Sequence, residues 1–297
     1  INLLPSSINT SFDMMRRRQT EQSRYLDFPS PVLREFNAQR QAQMSWKLSE
    51  NGFLNPLFDY SFSTISTLVP FELDENGKQR TGSELSKYIF FKNGQLINLG
   101  SNTLHNQVVT INTKPQIPDL FGISRFIDIT STYSATYTWQ NPLQPNPQFV
   151  DVAKNASVNT NLRINQSFKL KALGDKWFDF VLPKKGTRIT ESDTTGGLWK
   201  GTVSVLKKIF FDWDKVDFTF NQTSSSLNPG VYGGTGFDNF WARGFLGRSD
   251  RNEFGPSFPY QLGLVTDPHG GFSVVPSNTF PYFGFQSYVG KRPPNAV

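Results

Sequence analysis

From Ile127 to Gln140 the sequence alternates without a break. Ile127, Ile129, Ser131, Tyr133, Ala135, Tyr137 and Trp139 occupy one set of positions; Asp128, Thr130, Thr132, Ser134, Thr136, Thr138 and Gln140 occupy the other. Successive side chains of a strand point to opposite faces, so this period of two predicts one apolar and one hydrated face. A helical period would mix both sets on every side. The pattern returns after Pro142, Pro145 and Pro147. Ala156, Val158, Thr160, Leu162, Ile164, Gln166, Phe168, Leu170 and Ala172 then face one way, and Ser157, Asn159, Asn161, Arg163, Asn165, Ser167, Lys169 and Lys171 the other. Two long amphipathic antiparallel strands are predicted, in an all-β chain with minor α content.

Their length carries information. Fourteen residues at about 3.3 Å each reach roughly 46 Å. Strands of globular domains usually have about 5–6 residues, whereas a tilted membrane-crossing strand needs about 9–11. Such a pair can cross a bilayer and project beyond it, with Tyr133, Tyr137 and Trp139 suited to an aromatic girdle. A large soluble sheet packed on one face satisfies the same alternation. Composition fits either: 28 Phe, 9 Tyr and 6 Trp in 297 residues coexist with a mean hydropathy of −0.42. That aromatic content argues against disorder. The lack of any run of about 18 apolar residues excludes a bundle of transmembrane helices.

The rest of the chain reads less regularly. Residues 1–41 read as a linker with a short helix after Pro31, a residue suited to a first helical position. From Ala42 a period of two returns through Met44, Trp46 and Leu48, then through Phe58, Tyr60 and Phe62. Long antiparallel strands are expected over 42–227. A long excursion at 70–103 includes a short helix near Ser83 to Phe91, and an amphipathic helix is inserted near 197–211. Phe178, Phe180 and Leu182 alternate, as do Val216, Phe218 and Phe220, and Phe258, Tyr260, Leu262 and Leu264. Residues 228–257 read as a Gly- and aromatic-rich loop, with further strand over 228–297. The opening at Ile1 and the close at Val297 read as those of a piece of a longer chain.

No catalytic constellation emerges. Cysteine is absent, so there is no thiolate nucleophile and no sulfur-ligated metal. His105 and His269 lack ligand-spaced neighbours. Gly233-Gly234-Thr235-Gly236 lacks the spacing of a phosphate-binding loop. Asp212 and Asp214 enter a strand without a facing carboxylate that the sequence identifies. The net charge of +6 is concentrated only at Arg16 to Arg18, which does not point to nucleic acid. No enzyme activity, cofactor or metal is expected.

Longer strings carry a resemblance. Asn55-Pro56-Leu57, the stretch from Thr67 to Glu84, and Thr138 through Pro145 resemble the SprA (Sov) family, the giant outer-membrane translocon of type IX secretion and gliding motility. Leu170 to Gly174, Gly233 to Trp241 and Tyr260 to Pro268 are similar to the same family, over about residues 15–297. The resemblance implies a segment of a very large outer-membrane β-barrel that exports folded cargo to the cell surface. It implies as partners secreted cargo proteins, a shuttle β-barrel, a periplasmic plug protein, outer-membrane lipid and the rest of the parent barrel chain. The chain is too short for a whole translocon and would carry two unpaired edges.

On that reading Ile127, Ile129, Tyr133, Tyr137, Trp139, Val158, Leu162, Ile164 and Phe168 face lipid or a protein core. Thr130, Thr132, Thr136, Asn159, Asn161, Arg163 and Lys169 face a hydrated lumen. Tyr232, Gly233, Gly234, Gly236, Phe237, Phe240 and Trp241 form a loop for partner or cargo. The alternative is a soluble, aromatic-rich β-sheet module that binds carbohydrate or another surface polymer on exposed Trp and Tyr platforms.

Overall fold

The structure is a computed structural model that describes residues 2, 4–20, 32–50, 52–74, 77–91, 98–116, 122–142, 154–178, 197–243, 254–278 and 283–289. Seven strands form one antiparallel meander in chain order: β1 (Ser7–Thr20), β2 (Val32–Lys47), β3 (Leu57–Thr67), β4 (Ser101–Thr113), β5 (Ile127–Gln140), β6 (Asn155–Phe168) and β7 (Val216–Pro229). The sheet does not close, so β1 and β7 are its two edges. A separate hairpin joins β8 (Gly271–Pro276) and β9 (Phe283–Tyr288). Helices α1 (Gly82–Phe91), α2 (Leu170–Phe178), α3 (Gly197–Phe210) and α4 (Phe258–Gln261) lie in the connections.

The register sorts every strand into two faces. Tyr137 stands opposite Val158 and Gln107, which continue to Ser226 on one side and to Phe62, Ala42 and Thr10 on the other. This face collects the aromatic and aliphatic side chains. Its reverse carries Thr136, Asn159, Val108, Ser61 and Gln43 at neighbouring positions. The end of the sheet at which β2, β4 and β6 finish and β3, β5 and β7 begin is here called the lower end. The upper end is where β1, β3, β5 and β7 finish and β2, β4 and β6 begin.

Two excursions fold back over the apolar face. The first, 68–91 with α1, buries Leu68, Leu85 and Ile89 against Phe36 and Ala38 of β2. Thr81 and Glu84 open α1 with a capping box: the Thr81 amide donates to Glu84 Oε2 at 2.8 Å. The excursion is pinned by Glu72, whose side chain is fully buried. Arg16 Nε donates to its Oε1 at 2.6 Å, and Arg18 and Arg34 stand 3.6 and 3.7 Å from Oε2, within ion-pair range. The arginine run of β1 thus divides by parity: Arg16 and Arg18 share the apolar face with Glu72, and Arg17 lies on the reverse.

The second excursion, described over 230–243 and 254–270, covers β3 to β6. Tyr260, Val231 and Val265 join Tyr137, Trp139, Ala156 and Val158 in one core. Phe240 joins Tyr60 and Val109 in another, with Phe58, Phe62, Ile111, Phe258 and Leu262 packed around it.

Several expectations require correction. Residues 7–20 and 32–47 are strands, where a linker with a short helix was expected. Val32 stands opposite Thr20 and Phe36 opposite Arg16 of β1, so Pro31 precedes a strand. β6 stops at Phe168; Leu170 and Ala172, expected to continue its alternation, lie in α2. There Leu170, Leu173 and Trp177 recur at helical spacing. Lys169, expected on the lumenal face, sits between β6 and α2 and pairs with Asp128 at 3.5 Å. Phe178 ends α2, and Phe180 and Leu182 lie outside the described residues. The alternating Phe258, Tyr260, Leu262 and Leu264 form no strand. Ser257 caps α4 by accepting from the Tyr260 amide, Pro259 sits in the first turn, and Gly263 follows at φ +68°.

Candidate functional site

The reverse face is almost entirely uncharged in its centre. A shallow depression of about 340 Å³ crosses β1 to β4 there, bordered by Asn9, Ser11, Gln41, Gln43, Ser63 and Asn106. These side chains bond laterally to one another across strands. Thr132 donates to Asn112 at 2.9 Å, Thr138 to Asn106 at 3.1 Å, Gln39 to Ser63 at 3.3 Å and Asn161 to Thr223 at 3.2 Å. Such a surface is wettable and offers few apolar contacts.

Thr130, Thr132, Thr136, Asn159, Asn161 and Arg163 all lie on this face, opposite one another or on adjacent rows: Thr132 faces Arg163, and Thr136 faces Asn159. Ile127, Ile129, Tyr133, Tyr137, Trp139, Val158, Leu162, Ile164 and Phe168 share the other face, with Tyr133 opposite Leu162 and Ile127 opposite Phe168. Burial divides this second set. Tyr137, Trp139 and Val158 are sealed under 229–270. Ile127, Ile129, Tyr133, Leu162, Ile164 and Phe168 are only half-buried. Beside them on β7, Phe218 and Phe220 are 58% and 53% exposed. The apolar face is therefore capped along β3 and β4 and at the upper ends of β5 and β6, and open at the lower ends of β5 to β7.

The cap is seated by directed polar contacts as well as by rings. Phe237 meets Phe62 edge-on at 5.0 Å, Phe240 stacks on Tyr60 at 5.1 Å, and Trp241 meets Tyr60 edge-on at 4.8 Å. Tyr137 donates to the Thr235 carbonyl at 2.7 Å, and Tyr133 donates to that of Leu262. Tyr60 donates to Gln107 at 3.0 Å, Gln107 donates to Gln261 at 3.1 Å, and Gln261 donates to the carbonyls of Gly236 and Pro256 at 2.7 and 2.9 Å. This chain satisfies both buried amides and fixes the cap in one register. His105, buried among Phe62, Phe237 and Tyr137, shares a hydrogen bond with Thr64 at 2.7 Å.

The expected partner loop is thus largely committed to the sheet. Gly236 and Phe240 are buried, Tyr232, Gly233, Gly234 and Phe237 are half-buried, and Trp241 is exposed. Gln107, Gln261, Asn239 and Tyr260 carry the seat, and sequence reasoning passed over the three amides. A polar side chain on the apolar parity, as at Gln107, was the available signal.

Beyond the cap edge, a cleft of about 570 Å³ is bordered by Asn228, Tyr232, Asp267 and His269. Burial pushes His269 below the ordinary imidazole value, opposed by Asp267. The unfolded chain then takes up this proton at a higher pH than the folded one does. The contribution to cap stability is complete above the ordinary histidine range and declines as pH falls from about 6.5 toward the depressed value. Melting curves over this window are expected to show a smaller acid-side loss for His269→Gln than for the wild type.

Among the described residues no group of three His, Asp or Glu is placed to hold a metal ion, and no helix is long and apolar enough to cross a membrane. No family model matches the chain, and no curated protein matches it.

Proposed function

We propose that this chain is a wall segment of a very large outer-membrane β-barrel that conducts proteins to the cell surface, of the kind the SprA family forms in type IX secretion and gliding motility. The observation that supports this best is the sheet itself. Its strands run 11 to 16 residues in a sequential up-and-down meander, with one wettable face and two open edges. Up-and-down connectivity is the connectivity of outer-membrane barrels, and the rest of the parent chain would pair with β1 and β7. The Thr/Asn face then lines the hydrated passage for secreted cargo, because Arg163 and a row of amides do not belong in hydrocarbon. Lipid meets the open lower part of the apolar face, around Ile127, Ile129, Ile164 and Phe168. The upper part, under the cap, projects beyond the bilayer. A shuttle barrel and a periplasmic plug protein are the partners that go with this reading.

Residue access in the full-length protein within outer membranes tests it; these 297 residues contain no cysteine, and any cysteine elsewhere in the parent chain is replaced first. Cysteines replacing Thr130, Thr132 and Thr136 are expected to react with a membrane-impermeant maleimide, while those replacing Ile127 and Ile129 stay protected. Equal reaction at both parities overturns the assignment of lumen and lipid. A native protein that fractionates as soluble without detergent favours the carbohydrate-binding module instead. Burial removes Tyr60, Tyr137 and Trp139 as platforms for that alternative, which then rests on the exposed Trp177, Trp213 and Trp241.

A further inference from the structure

Helix α3 presents an apolar stripe that nothing described in the chain covers. Val205, Leu206, Ile209 and Phe210 recur at the spacing of one helix face, and Trp213 extends the row past the C-terminus; they are 56%, 49%, 56%, 58% and 60% exposed. The other arc carries Lys207 and Lys208, and α3 contains no acidic residue. The helix is held from its end. Phe211 packs on α2 so closely that a Cβ on Gly174 would lie 2.5 Å from the Cβ of Phe211. Lys207 reaches Asp175 at 2.5 Å, and the Lys171 amide donates to the Trp213 carbonyl at 2.9 Å. These contacts fix the orientation of α3 and leave its apolar side outward.

We propose that α3 is an interfacial anchor that lies on the surface of a bilayer containing anionic phospholipid. An amphipathic helix with lysines on its polar side and bulky apolar residues on the other fits the headgroup boundary, and an aromatic residue at its end suits the same depth. A groove on another protein would accept the stripe equally. Charge favours a negatively charged surface: Lys208 lies on the polar arc beside Lys207, and Asp175 and Asp214 near the helix end are paired with Lys207 and Lys171. Continuity favours it too: α3 leads through Trp213 into β7, whose exposed Phe218 and Phe220 begin the open apolar band at the same end of the sheet. The anchor does not require that the strands cross the membrane, so its test stands apart from that of the barrel.

The whole chain is mixed with phosphatidylcholine vesicles prepared with and without phosphatidylglycerol. Single environment-sensitive labels are attached at Leu206→Cys, Ile209→Cys and Lys208→Cys. Labels at 206 and 209 are expected to shift to the blue and to be quenched by brominated lipid, several-fold more with phosphatidylglycerol present, while the label at 208 stays aqueous. The double variant Leu206→Ser with Ile209→Ser is expected to partition about tenfold more weakly, as loss of two large apolar contacts requires. Both residues are exposed, so the sheet is not at risk in that variant. Labels at 206 and 209 that remain open to an aqueous quencher, or unchanged partitioning of the double variant, overturn the anchor and assign the stripe to a protein partner.

Discussion

Tyr260→Ala is expected to remove about 4 kcal/mol from the attachment of the cap, the range for truncating a fully buried aromatic side chain. The ring is fully buried and meets Tyr137 edge-on at 6.2 Å, in the same core as Trp139 and Val158. Its hydroxyl donates to the Ala156 carbonyl of β6 at 3.0 Å and accepts from Asn228 at 2.9 Å. One side chain therefore ties α4 both to the sheet and to the end of β7. Tyr260→Phe keeps the packing and loses the polar link, at a cost of about 1–2 kcal/mol. Hydrogen exchange of the backbone from 229 to 270, compared with β3 to β5, reads both variants. Protection is expected to fall over the cap first and by more in Tyr260→Ala. Equal loss across cap and sheet contradicts a separately seated cap, and no loss in either removes Tyr260 from the seat.

The parts of the fold that were legible in the sequence are those where parity is uninterrupted. The span of β5 matches its alternating run from Ile127 to Gln140 because each odd residue is apolar or small and each even one polar. β4 was not legible. Val108 and Val109 fall on opposite faces, Leu104 lies on the polar face, and His105 and Gln107 occupy the apolar one beneath the cap. A central strand whose apolar face meets a polar-seated cap carries no period to read. β1 and β2 were obscured by arginines. Arg16, Arg18, Arg34 and Arg40 stand on the apolar parity, and each has a partner brought by a distant segment: Glu72 for three of them, Ser66 and Asn102 for Arg40.

Helices α1 and α3 fall where a helix was expected, near 83–91 and 197–211, whereas α2 and α4 show the opposite error. Leu170 and Ala172 extended the β6 alternation by chance, and the helical recurrence of Leu170, Leu173 and Trp177 was the better guide. In α4, four residues of apparent alternation outweighed a Ser cap, an early Pro and a terminal Gly. Local turn chemistry decides short segments, where two or three apolar residues fit either period. As for the site, the two faces were legible from parity alone. The cap that divides the apolar face was not, because its seat consists of contacts between residues such as Gln107 and Gln261, far apart in the chain.

Gly255→Ala is expected to cost about 3 kcal/mol, close to the loss from Tyr260→Ala, although it adds only a methyl group. Gly255 has φ +81°, and a Cβ there would lie 2.1 Å from the Gly234 carbonyl oxygen, 2.8 Å from its carbon and 2.9 Å from the Gly236 nitrogen. All three atoms are backbone, so no side chain can turn aside. Positive φ contributes about 1–2 kcal/mol for a residue with a Cβ, and overpacking a further 1–3 kcal/mol. The neighbouring contact is also too close for a side chain: a Cβ on Gly236 would lie 2.7 Å from the Pro256 carbonyl oxygen. Asn239 donates to the carbonyls of Gly255 and Pro256 at 2.8 and 2.9 Å and holds the two segments together from the side. The glycines of 233–236 thus serve a backbone-to-backbone approach, which is why their spacing matches no phosphate-binding loop. Gly77→Ala supplies the control. Gly77 has φ +75° with nothing within 4 Å of its added Cβ, so only the conformational part, about 1 kcal/mol, is expected there. Thermal unfolding of the two variants separates the contributions. A Gly255→Ala loss no greater than that of Gly77→Ala would mean that the two segments part without cost, and the cap would then be held by its rings and amides alone.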